Sequence, residues 1–227
     1  MTDTQTFEPE GRAIPFAVEG AGPGVVLIAG AGLNISYLNA LAHSVAMEDF
    51  RVVRIGSRRP SKDEDAADRV PVTIEDLARD VVDVLDHLGM DHAWVGGHGF
   101  GGSVARVVAL GHHDRVNGVL LLGVESDGTV DAPDLAEVPE RFRDSEVEAL
   151  QRAARGTGGS SALVADVPVL IIQGAEDPIT PPANGDALKQ SAPDRVSVVR
   201  VEGAGHMFPA THVGATSWAI EDYLDWD

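Results

Sequence analysis

A chain of 227 residues is long enough for one sizeable α/β domain, and nothing in it requires a second. Its 36 acidic against 17 basic residues give a net charge of −19, which repels nucleic acid and anionic membrane surfaces. With no cysteine there is neither a disulfide framework nor a thiol nucleophile.

The first six residues are polar, and no apolar run approaches the ~20 residues of a membrane span. A cytoplasmic protein without a membrane partner is therefore expected. Residues 12–20 have the pattern of a short edge strand that ends in the turn Gly20-Ala21-Gly22-Pro23-Gly24. Residues 25–29 form an unalternating apolar run, as a strand buried on both faces requires. That run empties into Gly30-Ala31-Gly32-Leu33-Asn34, and a helix is expected around residues 37–45. Residues 51–55 are the next strand. A charged loop follows over 56–70, with Arg58-Arg59-Pro60 answered by Asp63-Glu64-Asp65. Thr73 and Asp76 have the spacing of a capping box, and Ile74, Leu77, Val81, Leu85 and Leu88 make a helical stripe that stops at Gly89.

The stretch Ala93-Trp94-Val95-Gly96-Gly97-His98-Gly99-Phe100-Gly101-Gly102 is a strand running into a glycine-crowded turn, and a helix opens from Ser103. This is the setting of the nucleophile elbow G-x-S-x-G, with Gly99 where the nucleophile would stand. The same letters fit G-x-G-x-x-G, the dinucleotide fingerprint, through Gly97, Gly99 and Gly102, and Glu125 lies about where a ribose-binding acid is wanted. Both readings remain open at this point of the chain. Residues 116–124 are a further strand. Residues 125–165 are polar and acidic, with a helical stretch near 138–154 and a loose Gly/Ser segment after it. A buried strand over 167–173, a helix near 183–191, a strand over 196–201 and a last helix near 216–224 complete the chain. Strands alternating with helices, most of them apolar throughout, specify an α/β fold with a mostly parallel sheet flanked by helices.

Two strand ends in the C-terminal half favour the elbow. Asp177 follows one strand in Gly174-Ala175-Glu176-Asp177-Pro178, and His206 follows the next in Gly203-Ala204-Gly205-His206. With the elbow, these motifs resemble the α/β-hydrolase family over about residues 12–225, in which nucleophile, acid and histidine occur in that order. The segment 73–102 is similar to the lactonase, esterase and epoxide-hydrolase branch. The resemblance implies an α/β-hydrolase fold, with a short cap over 125–165. It implies Asp177 as the acid, His206 as the base and Gly99 as an empty nucleophile position. It also implies an oxyanion hole from the backbone N–H groups of Ala31 and Phe100. The chain departs from the family's pattern at Ala29-Gly30, where His-Gly is usual, and at Gly56-Ser57-Arg58-Arg59, where the family has a glycine-rich motif.

Arg54, Arg58 and Arg59 are candidates for contact with an anionic substrate group, weighed against surface pairing with residues 63–65. No trio of His or acidic residues has metal-ligand spacing, so no metal and no cofactor is expected. A His–Asp pair without a nucleophile can activate water against a carbonyl, or abstract a substrate proton while the oxyanion hole holds the anion. The expected function is one of these on a small carbonyl-bearing molecule. The alternatives are a pocket-binding receptor and a serine hydrolase disabled at position 99.

Overall fold

Apolar strands that do not alternate need cover on both faces, and the computed structural model has helices on both. It describes residues 3–59, 71–126, 135–136, 138–156 and 162–225. The strands are β1 (Gln5–Phe7), β2 (Ile14–Glu19), β3 (Gly24–Ile28), β4 (Arg51–Ile55), β5 (Ala93–His98), β6 (Val116–Leu122), β7 (Val169–Gly174) and β8 (Val196–Val201). The helices are α1 (Asn39–Ala46), α2 (Ile74–His87), α3 (Phe100–Gly111), α4 (Glu148–Gly156), α5 (Pro182–Ser191), α6 (Phe208–Thr211) and α7 (Val213–Leu224). One sheet holds the strands in the order β1-β2-β4-β3-β5-β6-β7-β8. β3 to β8 run parallel, while β1 and β2 are antiparallel at one edge. This is the α/β-hydrolase fold expected from the sequence. Its order differs from the 3-2-1-4-5-6 arrangement of dinucleotide-binding sheets.

Successive residues of the parallel strands feed two cores. Val26, Val95, Val119 and Leu121 face α2, α3 and α4. Val25, Leu27, Leu120 and Leu122 face α1, α6 and α7. Among the described residues, no helix is long and apolar enough to cross a membrane.

The capping box forms as its spacing predicts. Asp76 N–H donates to Thr73 Oγ1 at 3.1 Å, and Thr73 N–H donates to Asp76 Oδ2 at 2.8 Å. Other boundaries shift. The strand expected at the sheet edge is β2, and β1 lies outside it with Gln5 opposite Phe16. So short a strand carries no periodic signal in the sequence. The helix expected from 37 begins as a 3₁₀ turn over Ile35–Leu38, because Asn34 Oδ1 caps it by accepting from Ser36 N–H at 3.0 Å. The stretch expected to be helical over 138–154 divides into a 3₁₀ turn at Glu140–Phe142 and α4. Arg143 locks the break by donating to the Val138 carbonyl at 2.8 Å. The short α6, which the sequence does not announce, precedes the last helix.

A buried carboxylate fastens the second antiparallel edge segment to α2. Asp80 is 2 % exposed and accepts from Arg12 Nη1 at 2.7 Å and from Arg58 Nε at 2.6 Å. Removing one partner of such a pair leaves buried charge unanswered, at a cost of about 3–5 kcal/mol. Asp80→Ala is therefore expected to lower the melting temperature by roughly 6–20 °C for a chain of this size. Thermal unfolding checks this, and a shift under about 2 °C would contradict it.

Candidate active site

Three loops leave the carboxyl ends of β5, β7 and β8 and meet. At the first, Gly99 joins β5 to α3 with φ 51° and ψ −112°. Its N–H donates to the Leu122 carbonyl at 3.0 Å, and its carbonyl accepts from Gly102 N–H at 2.9 Å to start the helix. The turn is tight enough to need the flanking glycines. A Cβ on Gly97 would lie 2.3 Å from the Gly101 carbonyl carbon, and one on Gly101 would lie 2.3 Å from the Ile28 oxygen. At Gly99 the constraint is on the backbone alone. A Cβ there would meet only His206 Cε1, at an ordinary 3.7 Å.

The second and third loops supply a carboxylate and a histidine. His206 Nδ1 lies 3.0 Å from Asp177 Oδ2, with the carboxylate buried and the imidazole 9 % exposed. Asp177 Oδ1 also accepts the N–H groups of Ile179 at 2.8 Å and Thr180 at 2.9 Å, and its Oδ2 accepts the Thr180 hydroxyl at 2.5 Å. Burial pushes the Asp177 carboxyl up, but these bonds and the His206 imidazole outweigh it and hold it below the ordinary carboxylate value. An ionised Asp177 accepts, so His206 Nδ1 carries the proton and Nε2 is left free. Thr180, three residues beyond the acid, escaped the sequence reading. A D-P-x-T run in which the side chain bonds its own following backbone was the available signal.

A second imidazole ties the three loops together. His98 is fully buried in the elbow, with its Nε2 3.0 Å from the His206 carbonyl and its Nδ1 3.1 Å from the Tyr37 hydroxyl. A carbonyl only accepts, so Nε2 bears the proton and Nδ1 accepts from Tyr37. The Tyr37 oxygen in turn accepts Gly30 N–H at 2.9 Å. The chain Gly30–Tyr37–His98–His206 thus fixes the first loop and the histidine loop relative to the elbow. Sequence reasoning missed both Tyr37 and this use of His98.

Burial, reinforced by the neighbouring His206, holds His98 well below the usual 6.5. The folded protein therefore keeps His98 neutral where the unfolded chain protonates it. The resulting stability is full above about 6.5 and declines as pH falls, by ~1.4 kcal/mol per pH unit until the folded group itself titrates. His98→Gln should remove that component. Urea unfolding of both proteins between about pH 7 and pH 5 checks it, and parallel stability–pH curves would contradict it.

The loop after β3 is held by the segment 138–156, which falls within the span 125–165 expected to be a cap. Gly32 N–H donates to Gln151 Oε1 at 2.8 Å, and Gln151 Nε2 donates to Ser57 Oγ at 2.9 Å. Asp144 N–H donates to the Gly32 carbonyl at 2.7 Å. The N–H groups of Ala31 and Phe100 have no acceptor among the described residues. Arg155 lies over the Phe100 ring at 4.6 Å and binds Glu125 at 2.6 Å. Glu125 is therefore an ion-pair partner here. Arg58 and Arg59, expected as anion contacts, bind Asp80 and Asp144 of the chain itself. Their charge is already answered by these two carboxylates, and residues 63–65, weighed as their partners, lie outside the described residues.

The sheet order and the meeting of these three loops at one edge are those of the α/β-hydrolase fold. Residues 23–167 match the family described as alpha/beta hydrolase fold, and the chain belongs to it. Residues 149–226 match the family described as TAP-like protein. A zearalenone hydrolase of Bionectria ochroleuca is 30 % identical over 114 residues, which cover 49 % of this chain and 43 % of that protein. The curated relatives are matched over less than half of their own length. Among solved structures, a thermophilic esterase from Thermogutta terrifontis superposes with a TM-score of 0.76 at 21 % identity, covering 99 % of this chain and 98 % of that one. Epoxide hydrolase VrEH1 from Vigna radiata gives 0.76 at 16 % identity, covering 100 % and 98 %. At these identities the two structures establish the fold.

Proposed function

We propose that the chain hydrolyses a small carbonyl-bearing molecule, with His206 as general base and water in place of a serine nucleophile. The observation that carries this reading is the Asp177–His206 pair at 3.0 Å, facing a strand–helix elbow whose apex is open glycine. Asp177 orients the imidazole and balances the positive charge it acquires. His206 Nε2 takes a proton from water as the water oxygen bonds the carbonyl carbon. The oxygen anion so formed accepts from the N–H groups of Ala31 and Phe100. When the carbon–leaving-group bond breaks, His206 returns the proton to the departing atom. Gly99 is the position at which hydrolases of this class carry their nucleophile, and deleting a hydroxymethyl group leaves about the volume of one water, ~30 Å³. Relatives named as hydrolases support the reaction class.

The test is a panel of activated esters, lactones and carbamates with wild type and His206→Ala. Turnover that falls by about 100-fold or more in the variant, with ligand binding retained, is expected for a general base. Turnover unchanged by the substitution overturns the mechanism. Saturable binding of panel members with no turnover by either protein replaces it with a receptor.

A further inference from the structure

A cavity of about 570 Å³ opens on the α1 and α6 side of the sheet. None of Gly99, His206, Asp177, Ala31 or Phe100 lines it. Its surroundings include Tyr37, Phe142, Met207 and Ala210, which make much of it apolar, and Arg54 reaches it from β4. Arg54 points from a central strand toward α1 and is 2 % exposed. Its Nη1 donates to Asn39 Oδ1 and, at 3.5 Å, to the Ile35 carbonyl, both neutral acceptors. Its Nε is buried without any partner. No carboxylate lies within ion-pair reach of it among the described residues, whereas Arg12, Arg58, Arg59, Arg115, Arg155 and Arg200 each have one.

A buried guanidinium without a counter-charge is costly, and planar anions that accept from two nitrogens suit it best. The cavity's charge fits that need. Arg141 lines it with Arg54, against one acid, Glu19, in a chain whose net charge is −19. Glu19 already accepts from His43 Nδ1 at 2.7 Å. It helps Arg54 only through its field, while burial draws the guanidinium below its ordinary value. We infer that this cavity is a binding site for a small organic carboxylate, with its carboxylate on Arg54 and its apolar body between Tyr37, Phe142 and Met207. The volume admits a drug-sized ligand rather than an ion alone.

Titration calorimetry with 4-phenylbutyrate and its neutral counterpart 4-phenyl-1-butanol tests the site in the full chain. Wild type is expected to bind the carboxylate saturably, at one per chain, and by about 10-fold or more tighter than the alcohol. Arg54→Met should reduce carboxylate affinity by about 10-fold or more and leave the alcohol unchanged. His206→Ala should bind the carboxylate as wild type does. No saturable carboxylate binding, equal affinity for the two probes, insensitivity to Arg54→Met, or loss of binding in His206→Ala each overturns the inference. Should Arg54→Met fail to fold, Arg54→Lys takes its place. It keeps the charge but loses the planar pair of donors, so carboxylate affinity should fall several-fold, and unchanged affinity overturns the site.

Discussion

Gly99→Ser is expected to turn this protein into a serine esterase. The apex already has the backbone geometry a nucleophile needs, φ 51° and ψ −112°, and a serine Cβ would sit 3.7 Å from His206 Cε1 without displacing anything. One bond further, the hydroxyl comes within reach of His206 Nε2, whose proton Asp177 keeps on the opposite nitrogen. Base, orienter and backbone donors act as a unit with the serine, and losing that serine from a working triad costs on the order of 10⁶ in kcat. Its introduction should raise ester turnover by several orders of magnitude above wild type. An activated short-chain ester and a serine-directed phosphonate would be applied to both proteins. Burst kinetics and labelling at position 99 in the variant alone are the expected result. The gain carries a backbone cost of about 1–2 kcal/mol for a non-glycine residue at positive φ, so the variant should also melt a few degrees lower. A folded variant that neither labels nor hydrolyses would mean that His206 or the donors are misplaced, and the proposed reaction would fall with it.

Residues that act through a strong local rule were legible in the sequence. The unalternating strands announced burial on both faces, Thr73 and Asp76 announced their capping box, and Gly97 and Gly101 announced a close crossing that the 2.3 Å contacts of a notional Cβ explain. The order of elbow, Asp177 and His206 along the chain was enough to expect them at the same edge of the sheet, because parallel strands put all three loops there. What escaped was non-local. Tyr37 reaches the site from the 3₁₀ turn that follows the β3 loop, and nothing in residues 35–38 marks a partner 61 positions away. His98 had a visible place in the motif, but its two partners come from different loops. For Arg58 and Arg59 the fold supplies Asp80 and Asp144, acids 22 and 85 positions away that no local spacing marks. Arg54 is the counter-case. The alternation of β4 puts it with Val52 on the α1 side of the core, while Arg58 and Arg59 lie beyond the end of the strand.

The Asp177 cradle leads to the other large effect, because it allows only one orientation of an amide. In Asp177→Asn the two backbone N–H groups of Ile179 and Thr180, at 2.8 Å and 2.9 Å, cannot turn away, so the amide oxygen must occupy the Oδ1 position. The amide NH₂ then takes the Oδ2 position beside His206 Nδ1. The Thr180 hydroxyl can rotate from donor to acceptor, but the imidazole has no such freedom. To avoid two opposed donors, His206 must shift its proton to Nε2, the nitrogen that faces the elbow. A protonated Nε2 accepts nothing from water or from an introduced serine. Turnover should therefore fall by about 10⁴ where the reaction depends on this base, which is the loss a wrong-tautomer histidine gives in a serine triad. Stability should change little by comparison, since both backbone N–H groups of the cradle keep their acceptor. Measuring the substitution in both the wild-type and the Gly99→Ser proteins covers the case in which the first is too slow to assay. Nitrogen-15 shifts of His206 report the proton's position without any substrate, and they should show Nδ1–H in wild type and Nε2–H in the variant. An unchanged tautomer, or full activity in Asp177→Asn, would show that Asp177 does not orient the base.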